Sequence, residues 1–446
     1  MVINIRGGIS LPSFRDKTIN SPIVSVSAPE ELIIPLPDGA KPCVAVGEHV
    51  LRGQRVAEAA DESLAPVHAG ASGTVAALAR WAHPGGSERV CVAIECDREQ
   101  AEAAYTPLED WENASPETLL AALREAGVAE QGMLRGAKHV DYVIVNGVEI
   151  TPYESSATRM LLEESSGIIE GIAVLARIFP QAQPVLAIAQ DRSDVMAAMR
   201  EPVRTVEKLR LETLAAKYPQ GNDAMLVQSI TGRKVPREMS PAELGCVVIG
   251  VKAAADIARA VRGIPVTDCV LTAAGGALLS PQNLRVPVGT SLRAIAAACG
   301  GFAKEPEKIV VGGSMQGIAQ PSMNVPVDKD TDAVLFLVPG EEGSDRVNAC
   351  IHCGRCTEVC PMGLLPCYLY EFARLDIMEE CRRLRIAECI GCGACTAACP
   401  SGIALSAEIQ AADEKNGVQE TDDEDVLRIF QRSGRLLPWI NRNDTP

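Results

Sequence analysis

The chain has 446 residues, enough for about three domains, and 47% of them are apolar, so several cores can be buried. Its formal charge of −16 disfavours nucleic acid and bare anionic lipid as partners, because both are polyanions. Sixteen cysteines, eight of them in two regularly spaced runs, point to a reducing compartment; nothing from Met1 to Lys17 reads as a signal peptide, and no window holds the roughly 18 uninterrupted apolar residues of a membrane span.

Residues 1–112 are rich in Val, Gly and Pro in short alternating runs, which predicts a small β domain. Its central phrase runs from Cys43 to Glu58 and continues from Ala65 to Val75, with Gly47, Gly53, Gly70 and Gly73 at tight turns. It resembles the barrel-sandwich module of biotinyl and lipoyl carriers but lacks their modified lysine, so the module reads as structural. His68 reads as a satisfied packing residue rather than a ligand, since no second ligand lies near it.

Over residues 113–263 helical and strand patterns alternate. Helices are expected at 116–126, 163–179, 194–217 (interrupted near Pro202) and 253–262, and strands at 142–145, 185–189 and 245–249. That alternation predicts an α/β layer with a largely parallel sheet, a fold that binds nucleotides beyond the carboxyl ends of its strands. The turn from Asn146 to Tyr153 stands in that position. Residues 264–328 read strand, turn, strand, helix, strand, the order of a compact β-grasp, with no catalytic constellation.

Residues 329–410 open on a strand at 333–338 and a Pro339-Gly-Glu-Glu-Gly linker. Two runs follow, Cys350-x-x-Cys353-x-x-Cys356-x-x-x-Cys360-Pro361 and Cys389-x-x-Cys392-x-x-Cys395-x-x-x-Cys399-Pro400, separated by a helical stretch at 366–384. Each matches the bacterial pattern for a cubane iron–sulfur cluster, in which three thiolates of one run cap one cube and the fourth completes the other. Cys350, Cys353, Cys356 and Cys399 are therefore assigned to one [4Fe-4S] cluster, and Cys389, Cys392, Cys395 and Cys360 to the second. Gly354, Gly391 and Gly393 let backbone amides approach the sulfides, and Pro361 and Pro400 end each turn. Zinc knuckles or a disulfide framework are the competing readings of such spacing. Two identical runs, each closed by Cys-Pro, favour iron and sulfur. Cys367 and Cys381 fit neither run and read as buried free thiols.

The tail, 411–446, carries an acidic run at 420–425 and apolar residues around Phe430 and Trp439. It reads as a solvated acidic segment with a helix packed on its own chain, or as a docking helix anchored by Trp439.

Taken in order, the phrases RGGI from Arg6, KPCVAVGEHVLRGQRVAE from Lys41, PVHAGASGTV from Pro66, NGVEITPY from Asn146, KYPQG from Lys217, TGRKVP from Thr231, NLRVPVGT from Asn283, GGF from Gly300, GGSMQG from Gly312 and the cysteine runs resemble the RnfC family of the Rnf-type electron-transport complex. The resemblance implies a multidomain α/β and α+β chain. Its parts would be a barrel-sandwich β domain, an α/β domain like the flavoprotein of respiratory complex I, a β-grasp (SLBB) domain and an α-helical ferredoxin domain with two [4Fe-4S] clusters. It implies FMN and NADH at the α/β domain, with Asn146, Glu149 and Tyr153 on family positions of the flavin site. It also implies ferredoxin or another redox protein as partner, and peripheral attachment through integral membrane subunits to the cytoplasmic face of the cell membrane.

The chain departs from that pattern where family members carry a GGAGFPT loop over the phosphates. Between Ala126 and Val140 it has only the separated Gly132 and Gly136 beyond the turn at Gly127, whereas a phosphate cradle needs several consecutive unencumbered amides. Thr151 also replaces a second acidic residue of the family turn. The expectation is an electron relay through two clusters with a vestigial or absent nucleotide site. The alternatives are an FMN-containing NADH dehydrogenase subunit of the same complex, and a soluble adapter to a dedicated reductase such as proline reductase.

Overall fold

In the computed structural model the described residues are 2–236, 239–341 and 347–416, and the chain divides into two compact units, Met1–Asp345 and Arg346–Pro446. In the first unit, the alternating N-terminal sequence builds two small antiparallel sheets. One has the order Glu31–Pro35, Glu88–Cys96, Gly73–Ala82, His49–Val50, the other Lys41–Pro42, Arg55–Glu58, Val67–His68. Leu32, Ile34, Val56, Val75 and Ile94 fill the space they enclose. His68 is buried as expected, but it is not satisfied: its Nδ1 has no hydrogen-bond partner among the described residues, and burial pushes its pKa down to about 4.

The α/β layer is a four-stranded parallel sheet in the order Arg210–Leu214, Gln183–Ala189, Tyr142–Gly147, Cys246–Gly250. Apolar residues line both faces, as a parallel sheet covered by helices requires. Val143, Val145, Leu186 and Ile188 face the core shared with helices Pro116–Glu125, Ser165–Ile178 and Val251–Val261. Ile144, Val185, Ala187 and Val248 face the other core, with Leu226 and Val227 of helix Asp223–Thr231. One expectation fails here. The stretch 194–217 is not an interrupted helix but helix Ser193–Met199, a 3-10 turn Pro202–Thr205 and strand Arg210–Leu214. Pairing with Val185–Ala189 at the sheet edge outweighs the helix propensity of its Leu and Glu residues.

The next sheet has six strands in the order Ile23–Ser25, Gln282–Pro287, Asp268–Ala274, Ala333–Leu337, Lys308–Val311, Ile318–Ala319. Helix Leu292–Ala298 shares its core through Leu292, Ile295 and Ala296. The strand Ala333–Leu337, grouped above with the cysteine-bearing segment, is hydrogen-bonded between Asp268–Ala274 and Lys308–Val311.

One carboxylate ties these layers together. Asp268, 5% exposed, accepts two bonds of 3.0 Å from Arg259 of helix Val251–Val261, one of 2.8 Å from Arg285 and one of 3.2 Å from Arg52 of the barrel-sandwich region. Burial works against its charge, yet Arg259 and Arg285 hold its pKa down at about 2.

In the second unit, helices Pro366–Arg374, Met378–Arg383 and Leu405–Asn416 enclose Leu369, Met378, Cys381, Ile386 and Ile409. The expected helix over 366–384 is broken between Arg374 and Met378, where Asp376 adopts φ 56°. The acidic run and Trp439 lie outside the described residues. No helix among the described residues is long and apolar enough to cross a membrane.

Candidate functional site

The two cysteine runs fold as repeats of one motif. Each contains a left-handed glycine, Gly354 at φ 77° or Gly393 at φ 78°, that turns the chain into a short helix, Arg355–Val359 or Ala394–Ala397. A side chain would resist that backbone angle, which is why glycine stands at both positions. The helices bring Cys356 and Cys395 inward, and both are buried. The fourth cysteine of each run follows its helix and is carried to the other run.

The result is two small cavities. One is lined by Cys350, Cys353 and Cys356 of the first run with Cys399 of the second, beside Cys367, Ile403 and Leu405. The other is lined by Cys389, Cys392 and Cys395 with Cys360, walled by Leu364, Leu369 and Ile409. No three His, Cys, Asp or Glu side chains among the described residues converge on a point that would hold a single metal ion. The thiols instead surround a space. Burial pushes Cys392 up to about 11 and Cys395 up to about 12. Such thiols become thiolates when iron supplies the positive charge that the walls do not. The backbone N–H of Leu364 donates to Cys360 Sγ at 3.4 Å, a bond that suits a ligand sulfur.

Cys367 stands in the first cavity, which its sequence position did not suggest. Cys381 lies apart, buried among the helices, its thiol bonded weakly to the Leu369 carbonyl.

The α/β sheet carries a cavity of about 430 Å³ between the ends of strands Tyr142–Gly147 and Cys246–Gly250. From Tyr142–Gly147 the chain passes to the strand on one side of it, Gln183–Ala189, whereas Cys246–Gly250 pairs on its other side. The cavity therefore occupies the point where strand order reverses, the place where such folds take ligands. Asn146 and Glu149 line it, but Tyr153 does not. The Tyr153 ring stacks on Phe14 at 5.1 Å and packs among Ala274, Val310 and Leu335, and its hydroxyl donates to Glu341 Oε1 at 3.4 Å.

The residues that line this cavity are a poor match to FMN. Asn146 spends its side chain on the chain itself, donating to the Gly221 carbonyl at 2.9 Å and accepting from the Val148 N–H at 3.0 Å. Glu149 accepts the N–H groups of Ala157 and Thr158 at 2.9 and 3.1 Å, so a protein carboxylate already occupies the first turn of helix Ser156–Glu163, where a phosphate would be stabilised. Five acids line the space, Glu130, Glu149, Glu154, Asp330 and Asp332, against one cation, Lys252. Lys252 is itself engaged with Asp332 at 2.8 Å. Burial, then neighbouring carboxylates, push Glu130, Glu154 and Asp330 above the ordinary carboxylate range, and burial raises Glu149. A phosphate would add negative charge where these acids already ionise reluctantly. Gly132, one of the separated glycines left in the loop, is explained by packing, since a Cβ there would lie 1.9 Å from the Ser63 carbonyl oxygen. Sequence reasoning found Asn146 and Glu149 but not the other acids, because Asp330 and Asp332 come from a loop far along the chain.

The chain is similar to known proteins over most of its length. The model of the RnfC barrel sandwich hybrid domain matches residues 3–99, and that of the Nuo51 FMN-binding domain matches 126–259. Two models of 4Fe-4S dicluster domains match 349–403 and 331–365. The chain is 32% identical over 398 residues to the C subunit of the proton-translocating ferredoxin:NAD(+) oxidoreductase complex of Clostridium ljungdahlii, covering 86% of this chain and 87% of that protein. It is 30% identical over 392 residues to the C subunit of the Na(+)-translocating ferredoxin:NAD(+) oxidoreductase complex of Acetobacterium woodii, covering 84% and 88%. With the C subunit of the ion-translocating oxidoreductase complex of Rhodobacter capsulatus it shares 32% over 381 residues, covering 81% and 73%. Three relatives that hold the same place in their complexes, aligned across most of the chain, together with a fold that supplies two cysteine-lined cavities, place this chain in the RnfC family of ion-translocating oxidoreductase subunits.

Proposed function

We propose that the chain is the iron–sulfur relay subunit of an Rnf-type complex, passing electrons through two [4Fe-4S] clusters between a redox protein such as ferredoxin and the membrane subunits. The observation that carries this reading is that each cavity gathers three cysteines of one run and the last cysteine of the other. Cys350, Cys353, Cys356 and Cys399 would hold one cluster, and Cys389, Cys392, Cys395 and Cys360 the second. A bound cluster supplies one-electron chemistry at a potential set by its charge, hydrogen bonds and exposure. The chain's residues supply the rest: four thiolates per site, apolar walls that exclude water, and exposure of Cys353, which gives the first site an edge toward solvent. The strand and helix order of the region around Asp268–Val311 supports a β-grasp (SLBB) assignment. Attachment to the cytoplasmic face of the membrane would run through the other subunits.

A second reading has its own support. The match of residues 126–259 to an FMN-binding domain and the cavity where the strand order reverses favour an FMN-containing NADH dehydrogenase subunit. The acidic lining and the carboxylate-capped helix weigh against it.

Protein purified and kept under anaerobic conditions is expected to hold iron and sulfide at about eight each per chain, as two filled cubes require. Zinc at about two per chain, with no sulfide, is the outcome that would remove the relay reading.

A further inference from the structure

A separate cavity, of about 240 Å³, is lined by residues of the barrel-sandwich region and of the segment around Asp328. It shares only Asp330 with the cavity at the α/β sheet and no residue with either cysteine cavity. Its volume equals that of about eight water molecules in the liquid. Pro35, Pro37, Val67 and Val288 give it apolar walls, on which a few polar groups converge, as they do in pockets that take small molecules.

One of those groups is His68, 6% exposed, whose Nδ1 bonds to nothing among the described residues. Burial, then the charges of Arg55 and Lys329, keep its ring neutral, with a pKa of about 4. A buried nitrogen able to hydrogen-bond is therefore left unused, an arrangement that costs stability unless something fills it. Gly127, on the same wall, has φ 83°, and a Cβ there would lie 2.9 Å from His68 Nδ1. Glycine thus leaves the space beside that nitrogen open.

The charged groups of the wall are unequally engaged. Arg89 is half-buried, and its guanidinium has no hydrogen-bond or ion-pair partner among the described residues. Lys329 Nζ donates to the Gly127 carbonyl at 3.1 Å, which uses one of its three donors. Asp328, by contrast, accepts the Asp330 N–H at 2.9 Å and the Thr331 hydroxyl at 3.3 Å, and His83 Nε2 lies 3.2 Å from it. With Arg89 and Lys329 set against Asp328 and Asp330, the lining is neutral overall.

We propose that this cavity is a binding site for a small aliphatic monocarboxylate, its carboxylate paired with the Arg89 guanidinium and bonded by His68 Nδ1–H, its body against the apolar walls. Guanidinium and carboxylate match in shape and charge, and their paired hydrogen bonds are among the strong ones. A singly charged head suits a lining in which two cations face two acids, whereas a phosphate dianion would bring excess negative charge beside the aspartates. Nothing in this inference depends on the two-cluster reading.

The test is isothermal titration calorimetry of the anaerobically prepared full chain with sodium butyrate at constant ionic strength. Saturable binding at one site is expected, with 1-butanol and inorganic phosphate at least about tenfold weaker. Arg89→Gln should weaken butyrate binding about tenfold or more, and His68→Leu roughly threefold to tenfold. A urea midpoint for His68→Leu no lower than the parent's would show that the nitrogen serves the ligand rather than the fold. Should His68→Leu fold poorly, Arg89→Gln, at a half-buried position on strand Glu88–Cys96, decides alone. An absence of saturable butyrate binding would leave the cavity to water and overturn the proposal. Equal binding by parent and Arg89→Gln would do the same, as would phosphate or 1-butanol binding as tightly as butyrate.

Discussion

Replacing Cys360 with alanine is expected to damage the cluster held by Cys389, Cys392 and Cys395 and to spare the one in its own run. Iron should fall from about eight to about four per chain, or to about seven if a three-iron remnant survives at the damaged site. Cys399→Ala should do the reverse, damaging the site of Cys350, Cys353 and Cys356. The expectation rests on the two cavities, each of which takes its fourth cysteine from the other run. Double variants locate the damage without a spectral assignment. Cys360→Ala with Cys392→Ala should lose no more cluster than either alone, because both act on one site, whereas Cys360→Ala with Cys353→Ala should lose both. A three-iron signal from the first run in Cys360→Ala would contradict the crossed arrangement.

The second large effect concerns Asp268. Asp268→Ala is expected to destabilise the unit Met1–Asp345 by about 3–5 kcal/mol, the cost of breaking a buried charge network by removing one partner. Three guanidinium groups from separate layers lose their common acceptor, and Arg259 and Arg285 are mostly buried. Urea unfolding of the full chain, followed by the fluorescence of Trp81 and Trp111, reads that unit. A midpoint equal to the parent's would show that the network contributes nothing. The charge carries a pH signature as well. The folded pKa of Asp268, about 2, lies below the roughly 3.9 of an unfolded aspartate, so its contribution is complete above about pH 4 and is lost as pH falls through about 2. Asp268→Asn should lack that part of the acid dependence.

The parts of this chain that are legible in sequence are those set by short-range chemistry. The cysteine spacing carries the crossed cluster sites because the two-residue gaps and the terminal Cys-Pro fix the local chain path. The apolar runs at Tyr142, Val185 and Cys246 announce a parallel sheet because both their faces must be covered. What long-range contact decides is not legible. The strand Arg210–Leu214 gains its identity from its neighbour, Val185–Ala189, and Ile23–Ser25 becomes a strand only by joining Gln282–Pro287 at the edge of another sheet. Likewise the acids around the α/β cavity come from segments far apart in the chain, Glu149 and Glu154 near one strand end and Asp330 and Asp332 before another. Their convergence makes the site hostile to phosphate, a property at which the scattered Gly132 and Gly136 only hint. Cys367 is visible in the sequence as a cysteine outside both runs. Its place in the first cavity comes from the fold of the two runs.

In the relay proposed for this chain, electrons pass through the two clusters without a flavin and NADH site of its own. The most direct measurement is an anaerobic titration of the purified, cluster-loaded protein with NADH, followed in the visible absorption of the clusters, with dithionite as the reference reductant and flavin fluorescence recorded after acid release. Bleaching by dithionite, none by NADH, and no released flavin are the expected results. Bound FMN together with NADH-dependent bleaching of the cluster absorbance would contradict the relay.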